Sequence, residues 1–413
     1  MTLTNLSREN PSSATTPTAS GNNAVAIGNN STASGTNSFA FGTLSVASGD
    51  SAFAAGYDAV SSGGQSFAFG DNVNATGQFS FCTGGGDATA SGTSSIAMGY
   101  AARASNINAA AIGRNTDATH SGSAAIGYDA QAVADQAIAL GDSRAAGADS
   151  LAAAIATNSS SYGATGSNSV AMGRNSKTSG SDSLAFGRTS QATSGYAVAM
   201  GYNCLSSANY SVALGYQAQA TGSNAFAAGA SSTFQERANA TAAGAVALGG
   251  AYATAADSVS IGAASTTGTT LGKIAFSNGK FAANGDSQGG LFILRADTTD
   301  ATATVLTTNN SSPGSVDQVV AASDTCITFS GTIVAMQNGA QSYGSWEIRG
   351  LLVNDGGTTT LPVFNISEIG SSGWKINLYA DNTNNALKVQ VTGEASHNIR
   401  WVANIQTAEV TYA

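Results

Sequence analysis

Charge is what this chain has least of. Asp, Glu, Lys and Arg make up 9% of its 413 residues, against roughly 25% in an ordinary soluble domain. Its 15 Lys and Arg form no cluster, and the net charge of -9 comes from a thin scatter of acids. A footprint for nucleic acid is therefore missing, and DNA or RNA is not an expected partner. Cysteine is scarce too. Cys82, Cys204 and Cys326 lie more than a hundred residues apart, which makes neither a disulfide framework nor a metal knuckle. They are expected to be buried as small apolar residues. No stretch approaches the roughly 18 to 20 apolar residues of a membrane helix, so no membrane insertion is expected. The first ten residues, MTLTNLSREN, hold no apolar run. They do not read as a secretory signal, and the chain is expected to be made in a cytoplasm without one.

What is present is glycine, 50 of them, on a strict beat. The unit apolar-Ala-apolar-Gly occupies residues 25–28, 39–42, 53–56 and 67–70, then 96–99, 110–113, 124–127 and 138–141. It returns at 170–173, 184–187, 198–201, 212–215 and 226–229, and ends with 246–249 and 259–262. Within the first three runs the closing glycines fall fourteen residues apart; Gly249 and Gly262 are thirteen apart, and Ser260 replaces Ala in the last unit. Degenerate copies at 81–84 and 151–154 bring the total to about seventeen between residues 21 and 262. A weaker signal sits at the half-period, as in Ala33-Ser34-Gly35 and Thr178-Ser179-Gly180. Periodicity of this kind marks a stacked repeat.

Alternation gives its local structure. In Val170-Ala171-Met172 the outer two side chains point one way and Ala171 the other, the period of a strand. A glycine about every seven residues would break a helix and supplies the positive φ of tight turns. One fourteen-residue unit therefore reads as one coil of a parallel β-solenoid, with two short strands and two turns. At ~4.8 Å per coil, seventeen coils would extend roughly 80 Å. The larger apolar pair of each coil, such as Val212 and Leu214, is expected to form an internal ladder. So small a coil encloses little, which favours chains packing together along a shared axis.

The stretches Asn168-Ser169-Val170-Ala171-Met172-Gly173, Asn37-Ser38-Phe39-Ala40-Phe41-Gly42 and Asp257-Ser258-Val259-Ser260-Ile261-Gly262 resemble the head repeat of trimeric autotransporter adhesins. That repeat is the YadA-like left-handed parallel β-roll. The resemblance runs over residues 21–262 and implies a homotrimer with the rolls side by side. No signal peptide, coiled-coil stalk or membrane-barrel anchor of that family is expected from this sequence. The beat also slips twice. Five residues are added around 158–166, and six between Gly229 and Gly249, including Phe234-Gln235-Glu236-Arg237. Insertions of this kind loop out of one face of a solenoid.

Beyond about residue 270 the beat stops and longer alternating strands appear, such as Leu387-Lys388-Val389-Gln390-Val391. Turn signals at 354–357, 381–385 and 393–394 separate them. Residues 290–413 read as an antiparallel β-sandwich of about eight to ten strands. The expected fold is thus all-β, a parallel β-roll followed by a sandwich. Its parts are an N-terminal arm over 1–20, the roll over 21–262, a connector over 263–289 and the sandwich over 290–413. Residues 279–288, 328–335, 346–350, 385–393, 399–403 and 409–410 resemble a C-terminal module of bacteriophage tail-fibre and other virion proteins.

Catalytic motifs fail on inspection. Gly285-Asp286-Ser287-Gln288-Gly289 has the letters of a nucleophile elbow, but a strand follows it where a helix is needed. Gly268-Thr269-Thr270-Leu271-Gly272-Lys273 is one residue short of a phosphate loop, and Ile274 stands where Ser or Thr should be. His120 and His397 are the only histidines, with no metal-ligand neighbours in sequence. Glycan cleavage would need two carboxylates about 5 to 9.5 Å apart. The acids at Glu236, Glu347, Glu368, Glu394 and Glu409 cannot be paired from sequence. No catalytic residue, metal or cofactor is expected.

The resulting expectation is a homotrimeric, non-enzymatic phage tail fibre or related virion appendage. Its N-terminal arm would meet virion tail or baseplate proteins, the roll would be the shaft, and the sandwich would be a tip touching a host surface glycan or protein. The reverse polarity is open, as are a bacterial surface adhesin and a virion decoration protein without receptor function. Candidate receptor-binding residues are the polar turn residues Asn382, Asn384, Glu394 and His397.

Overall fold

The computed structural model describes residues 15–155, 161–230, 237–339, 342–370 and 373–412. The stretch 1–14 of the expected arm, residues 156–160 of the first insertion and 231–236 of the second lie outside the described residues. Two compact units divide the chain, residues 1–200 and 201–413. Every regular element among the described residues is a β-strand.

The first unit is built of the expected coils. Val25–Ile27 pairs in parallel with Phe39, Ala40 and Phe41 of the next coil, and those with Phe53, Ala54 and Ala55 of the one after. The half-period strands stack likewise, Ala33 on Ala47. In the second unit the same ladder joins Val212, Ala213 and Leu214 to Phe226, Ala227 and Ala228. Together the units hold about eighteen coils.

One expectation is reversed. The larger apolar pair faces out of the coil and the alanine faces in. Ala40, Ala111, Ala125 and Ala213 have no exposed surface, whereas Phe69, Ile126 and Phe186 are 55%, 41% and 49% exposed. Val212 and Leu214 are half-buried on that outer side. The interior of a coil is lined by alanine and serine from both strands, such as Ser38, Ala40, Ser45 and Ala47. The reason is size. Two short strands joined by two tight turns leave a bore that backbone and methyl groups fill. Several of the inward serines are tied back to the turn, with Ser169 Oγ donating to the Gly166 carbonyl at 2.6 Å and Ser183 Oγ to Gly180 at 2.6 Å. Outside, the large side chains stack at the coil spacing, Phe53 on Phe67 at 4.7 Å and Phe67 on Phe81 at 5.2 Å.

The corners divide their tasks differently from a uniform run of turn glycines. Gly42 has φ +115°, and a Cβ there would strike the Gly56 carbonyl of the next coil. Gly35, at the half-period, needs only the space, since its Cβ would strike the Gly49 carbonyl. The left-handed backbone there falls two residues later, on Asn37 at φ 58°. Asn and Asp tolerate that region better than most residues. This is why an Asn or Asp so often precedes the inward serine, as Asn168, Asp182 and Asp257 do, at φ 54°, 55° and 54°.

The parallel ladder outlasts the sequence repeat by one strand. Ile274–Asn278 pairs with Val259–Ala263 in parallel, Ala275 opposite Ser260. The next strand, Ser287–Thr298, then runs antiparallel to Ile274–Asn278 and covers an edge that would otherwise expose unpaired backbone. From it spreads the first sheet of the sandwich. Its strands are, in spatial order, Ser287–Thr298, Ile399–Thr411, Thr325–Gln337, Tyr343–Asp355 and Thr358–Gly370. The second sheet holds Ala303–Val305, Val319–Val320, Lys375–Asp381 and Ala386–Thr392. Between them lies a conventional core of Phe292, Ile333, Trp346, Leu378, Val389 and Trp401. Trp401 is fully buried, 5.6 Å from the rings of both Trp346 and Trp374, and its indole N–H donates to Thr298 Oγ1 at 2.9 Å.

Candidate functional site

The four candidate residues sit in two turns. Asn382 and Asn384 belong to the turn that joins Lys375–Asp381 to Ala386–Thr392. Their side chains are used locally. Asn382 Oδ1 accepts from the Thr359 amide at 2.6 Å, and Asn384 Nδ2 donates to Asp381 Oδ2 at 2.9 Å. Burial pushes the Asp381 carboxyl up, but hydrogen bonds from Asn384, Gln318 and Thr383 outweigh it and hold the group below the ordinary carboxylate range. Glu394 and His397 occupy the next turn, with His397 Nδ1 3.2 Å from Glu394 Oε2. The seven-residue strand Ala386–Thr392 separates the turns, roughly 20 Å at ~3.3 Å per residue. The structure thus joins the candidates two by two and does not gather all four.

The Glu394–His397 turn lies at the end of the sandwich remote from Ile274–Asn278, and it borders a larger feature. Thr298 and Ile399 are register partners at that end. Asp297, Thr298, Met336, Gln337, Asn338, Asn398 and Arg400 line a cleft of about 550 Å³ there. Arg400 Nε stands 3.2 Å from Asp297 Oδ1, both well exposed, and Met336 is 65% exposed beside them. Sequence reasoning missed this cleft because Asp297 and Arg400 are 103 residues apart.

At the opposite end the sandwich is fixed to the last coil by a buried ion pair that no local motif announces. Lys273 Nζ lies 2.7 Å from Glu409 Oε2, each side chain 6% exposed. Gln288 Nε2 donates to the same carboxylate at 2.8 Å and Thr407 Oγ1 to its other oxygen at 2.7 Å. Lys273 is the lysine of the failed phosphate loop, and its ammonium is spent on this pair. Nearby, Asp286 closes the turn before Ser287–Thr298 by accepting from the amides of Phe281, Ala282 and Ala283 at 2.9, 2.6 and 2.7 Å. Burial raises its carboxyl, but the hydrogen bonds from those amides and from Ser287 outweigh it, so it stays below the ordinary range.

The remaining chemistry-bearing residues are occupied or apart. Ser287 opens a strand where a nucleophile elbow would need a helix, and its Oγ donates to the Gly279 carbonyl at 3.1 Å. Glu347 stands opposite Ser367 and Glu368 opposite Trp346, so the two carboxylates point to opposite faces of one sheet. Glu236 lies outside the described residues. His120 meets Thr119 Oγ1 at 3.0 Å in a coil corner. Cys82 and Cys204 are buried, and burial pushes the Cys82 thiol up to about 11. Cys326 is half-buried, against expectation, because its side chain lies on the outer side of the sandwich. Among the described residues no group of three or more metal-ligating side chains occurs. No helix there is long and apolar enough to cross a membrane.

Comparison with known proteins agrees with the coils. The YadA head domain repeat matches residues 19–45, 47–72, 90–116, 121–143, 164–190, 179–203 and 206–232. A search of curated proteins returned no match. Among solved structures, one similar chain is a tailspike protein, gp49, of the Acinetobacter baumannii bacteriophage Fri1, described as a capsular polysaccharide depolymerase. The alignment covers 94% of this chain and 69% of that one, at 10% identity and a TM-score of 0.22. Superposition that loose carries no argument about this protein. The repeat match and the parallel coils coincide, and the conclusion is that the matched stretches between residues 19 and 232 are YadA-like head repeats.

Proposed function

We propose that this chain is a homotrimeric, non-enzymatic attachment fibre of a bacteriophage virion. Its coils would form the shaft, the region before residue 21 would dock on tail or baseplate proteins, and the sandwich would be the tip that touches a host surface glycan or protein. One observation carries the trimer. In both units the large apolar side chains point out of the coil, and Phe39, Ile96, Ile138 and Ile261 remain about 40% exposed. A ladder of that kind is an association surface left uncovered in a single chain. YadA head repeats are typical of trimeric adhesins, which supports three copies.

Support for the virion comes from the likeness of residues 279–288, 328–335 and 385–393 to the tail-fibre module. A sparsely charged, repetitive shaft and three weak tip sites acting together would give attachment through avidity. Glu347 and Glu368 lie on opposite faces of one sheet, Glu409 is paired with Lys273 and Glu394 with His397, which favours binding over cleavage. The YadA repeats by themselves favour a second reading, an adhesin on a bacterial surface.

Immunogold microscopy with an antibody against residues 290–413 separates these readings. Gold at the outer ends of virion fibres is the expected result. Gold close against the particle would reverse the polarity, and gold on cell envelopes beside bare virions would overturn the phage assignment.

A further inference from the structure

The outer face of the five-stranded sheet is not an independent surface. Ile274–Asn278 belongs to the last coil and also pairs with Ser287–Thr298 of the sandwich. Residues directly opposite in an antiparallel pair share a face. Ile274 stands opposite Leu291 and Phe276 opposite Gly289, so the outward apolar side of the coil becomes the outer face of the sandwich sheet. The inner sides agree as well, because buried Ala275 stands opposite buried Gly290.

Along that outer face, cross-strand register sets out rows. Arg295, Val402, Val334 and Ser345 form one row, and Asp297, Arg400, Met336 and Tyr343 the next. Ile293, Val334, Val402 and Val410 are 49%, 55%, 42% and 47% exposed. Between the apolar bands runs a polar groove of about 550 Å³ that contains Glu347 and Arg349. The face therefore offers apolar area together with charges of both signs, Asp297 and Glu347 against Arg295, Arg349 and Arg400. A copy of the same surface can meet it without leaving one sign unpaired.

The other side of the sandwich differs. The outer face of the four-stranded sheet presents Lys375, Asn377, Tyr379 and Lys388, and polar side chains dominate it.

We propose that the outer face of the five-stranded sheet is an interface between copies of this chain, so that the trimer contact of the coils continues through the tip. The four-stranded sheet then faces outward and is the side left for a ligand. This rests on the homotrimer reading and deepens it by assigning which face of the sandwich is covered.

Site-directed cross-linking of the full-length chain tests it. In a Cys326→Ser background, single cysteines are placed at Val334 (five-stranded sheet), Tyr379 (four-stranded sheet) and Ile261 (coil), and treated with a short bis-maleimide. Cys82 and Cys204 are buried with raised thiols and stay silent. Tryptophan fluorescence confirms that each variant keeps its folded sandwich. The expected result is conversion of up to two-thirds of the I261C and V334C chains to a dimer band on a denaturing gel, the most that one thiol per chain allows within a trimer, with Y379C remaining monomeric. Cross-linking of I261C without V334C would overturn the proposal and leave the trimer standing. Cross-linking through Y379C in place of V334C would overturn it in favour of the opposite face. No cross-linking anywhere, with the solution mass of one chain, would remove the trimer itself and the proposal with it.

Discussion

The coils and the sandwich solve the same problem with opposite cores. In a coil the backbone closes on itself so tightly that the inside is filled mainly by methyl and hydroxymethyl groups, with an occasional Cys, Thr or Val, and most of the large apolar side chains are left outside. In the sandwich two sheets stand far enough apart to enclose three tryptophans and a full complement of Leu, Ile and Val. A coil is therefore held by backbone ladders, steric fit and its neighbours. The sandwich is held by apolar burial. The difference also sets how each part meets the world. The coils leave large apolar side chains exposed coil after coil, while the sandwich encloses most of its own.

That contrast can be broken from both sides. The largest effect is expected in the sandwich core. Trp401→Ala removes the ring between Trp346 and Trp374 and should cost about 3–5 kcal/mol. Tryptophan emission, which reports only the sandwich, should show its melting midpoint fall, while circular dichroism from the coils persists. A common loss of both signals would mean that the coils depend on the sandwich.

Next comes the ion pair that joins the two. Lys273→Met leaves Glu409 buried without its cation and should destabilise the sandwich by about 3–5 kcal/mol. The double variant with Glu409→Leu should recover most of that loss in urea denaturation. Equal losses in the single and the double variant would show that the pair's own attraction, rather than the orphaned charge, is what matters.

Inside the coil the sign of size reverses. Ala125→Leu adds bulk to a bore with no room, and about 1–3 kcal/mol of destabilisation is expected. Ile126→Ala, one residue on, removes bulk from the outer face. It should leave the fold of a single chain nearly unchanged and weaken association, read as a lower mass by light scattering at high dilution. If Ala125→Leu is tolerated and Ile126→Ala unfolds the chain, the assignment of inner and outer sides is wrong.

The smallest effect is a pH dependence confined to the sandwich. The folded-state carboxyls of Asp286 and Asp381 are depressed. Their stabilisation is therefore complete above the ordinary carboxylate value, about 3.9, and is lost as pH falls through the lower folded values. Acid titration should shift the tryptophan signal below about pH 4, and Asp381→Asn should flatten that slope.

Much of this was legible in the letters. The fourteen-residue beat, the strand alternation of Val170-Ala171-Met172 and the glycine at each coil's close sufficed for a parallel solenoid. Alternating strands and turn signals sufficed for a sandwich after it. The polar turns at 381–385 and 393–398 were legible as turns, but their separation by a whole strand was not. The cleft at Asp297 and Arg400 and the ion pair of Lys273 and Glu409 left no local signal, since their members meet only when distant strands align.

Sequence by itself determined the period, the strand parity and the change of architecture near residue 270, because those follow from local backbone sterics and side-chain alternation. Which side of a coil is inside was decided only by tertiary structure. Alternation places Ala171 opposite Val170 and Met172 but says nothing of the space on either side. Closing fourteen residues around one bore leaves room for the methyl and turns the larger pair outward.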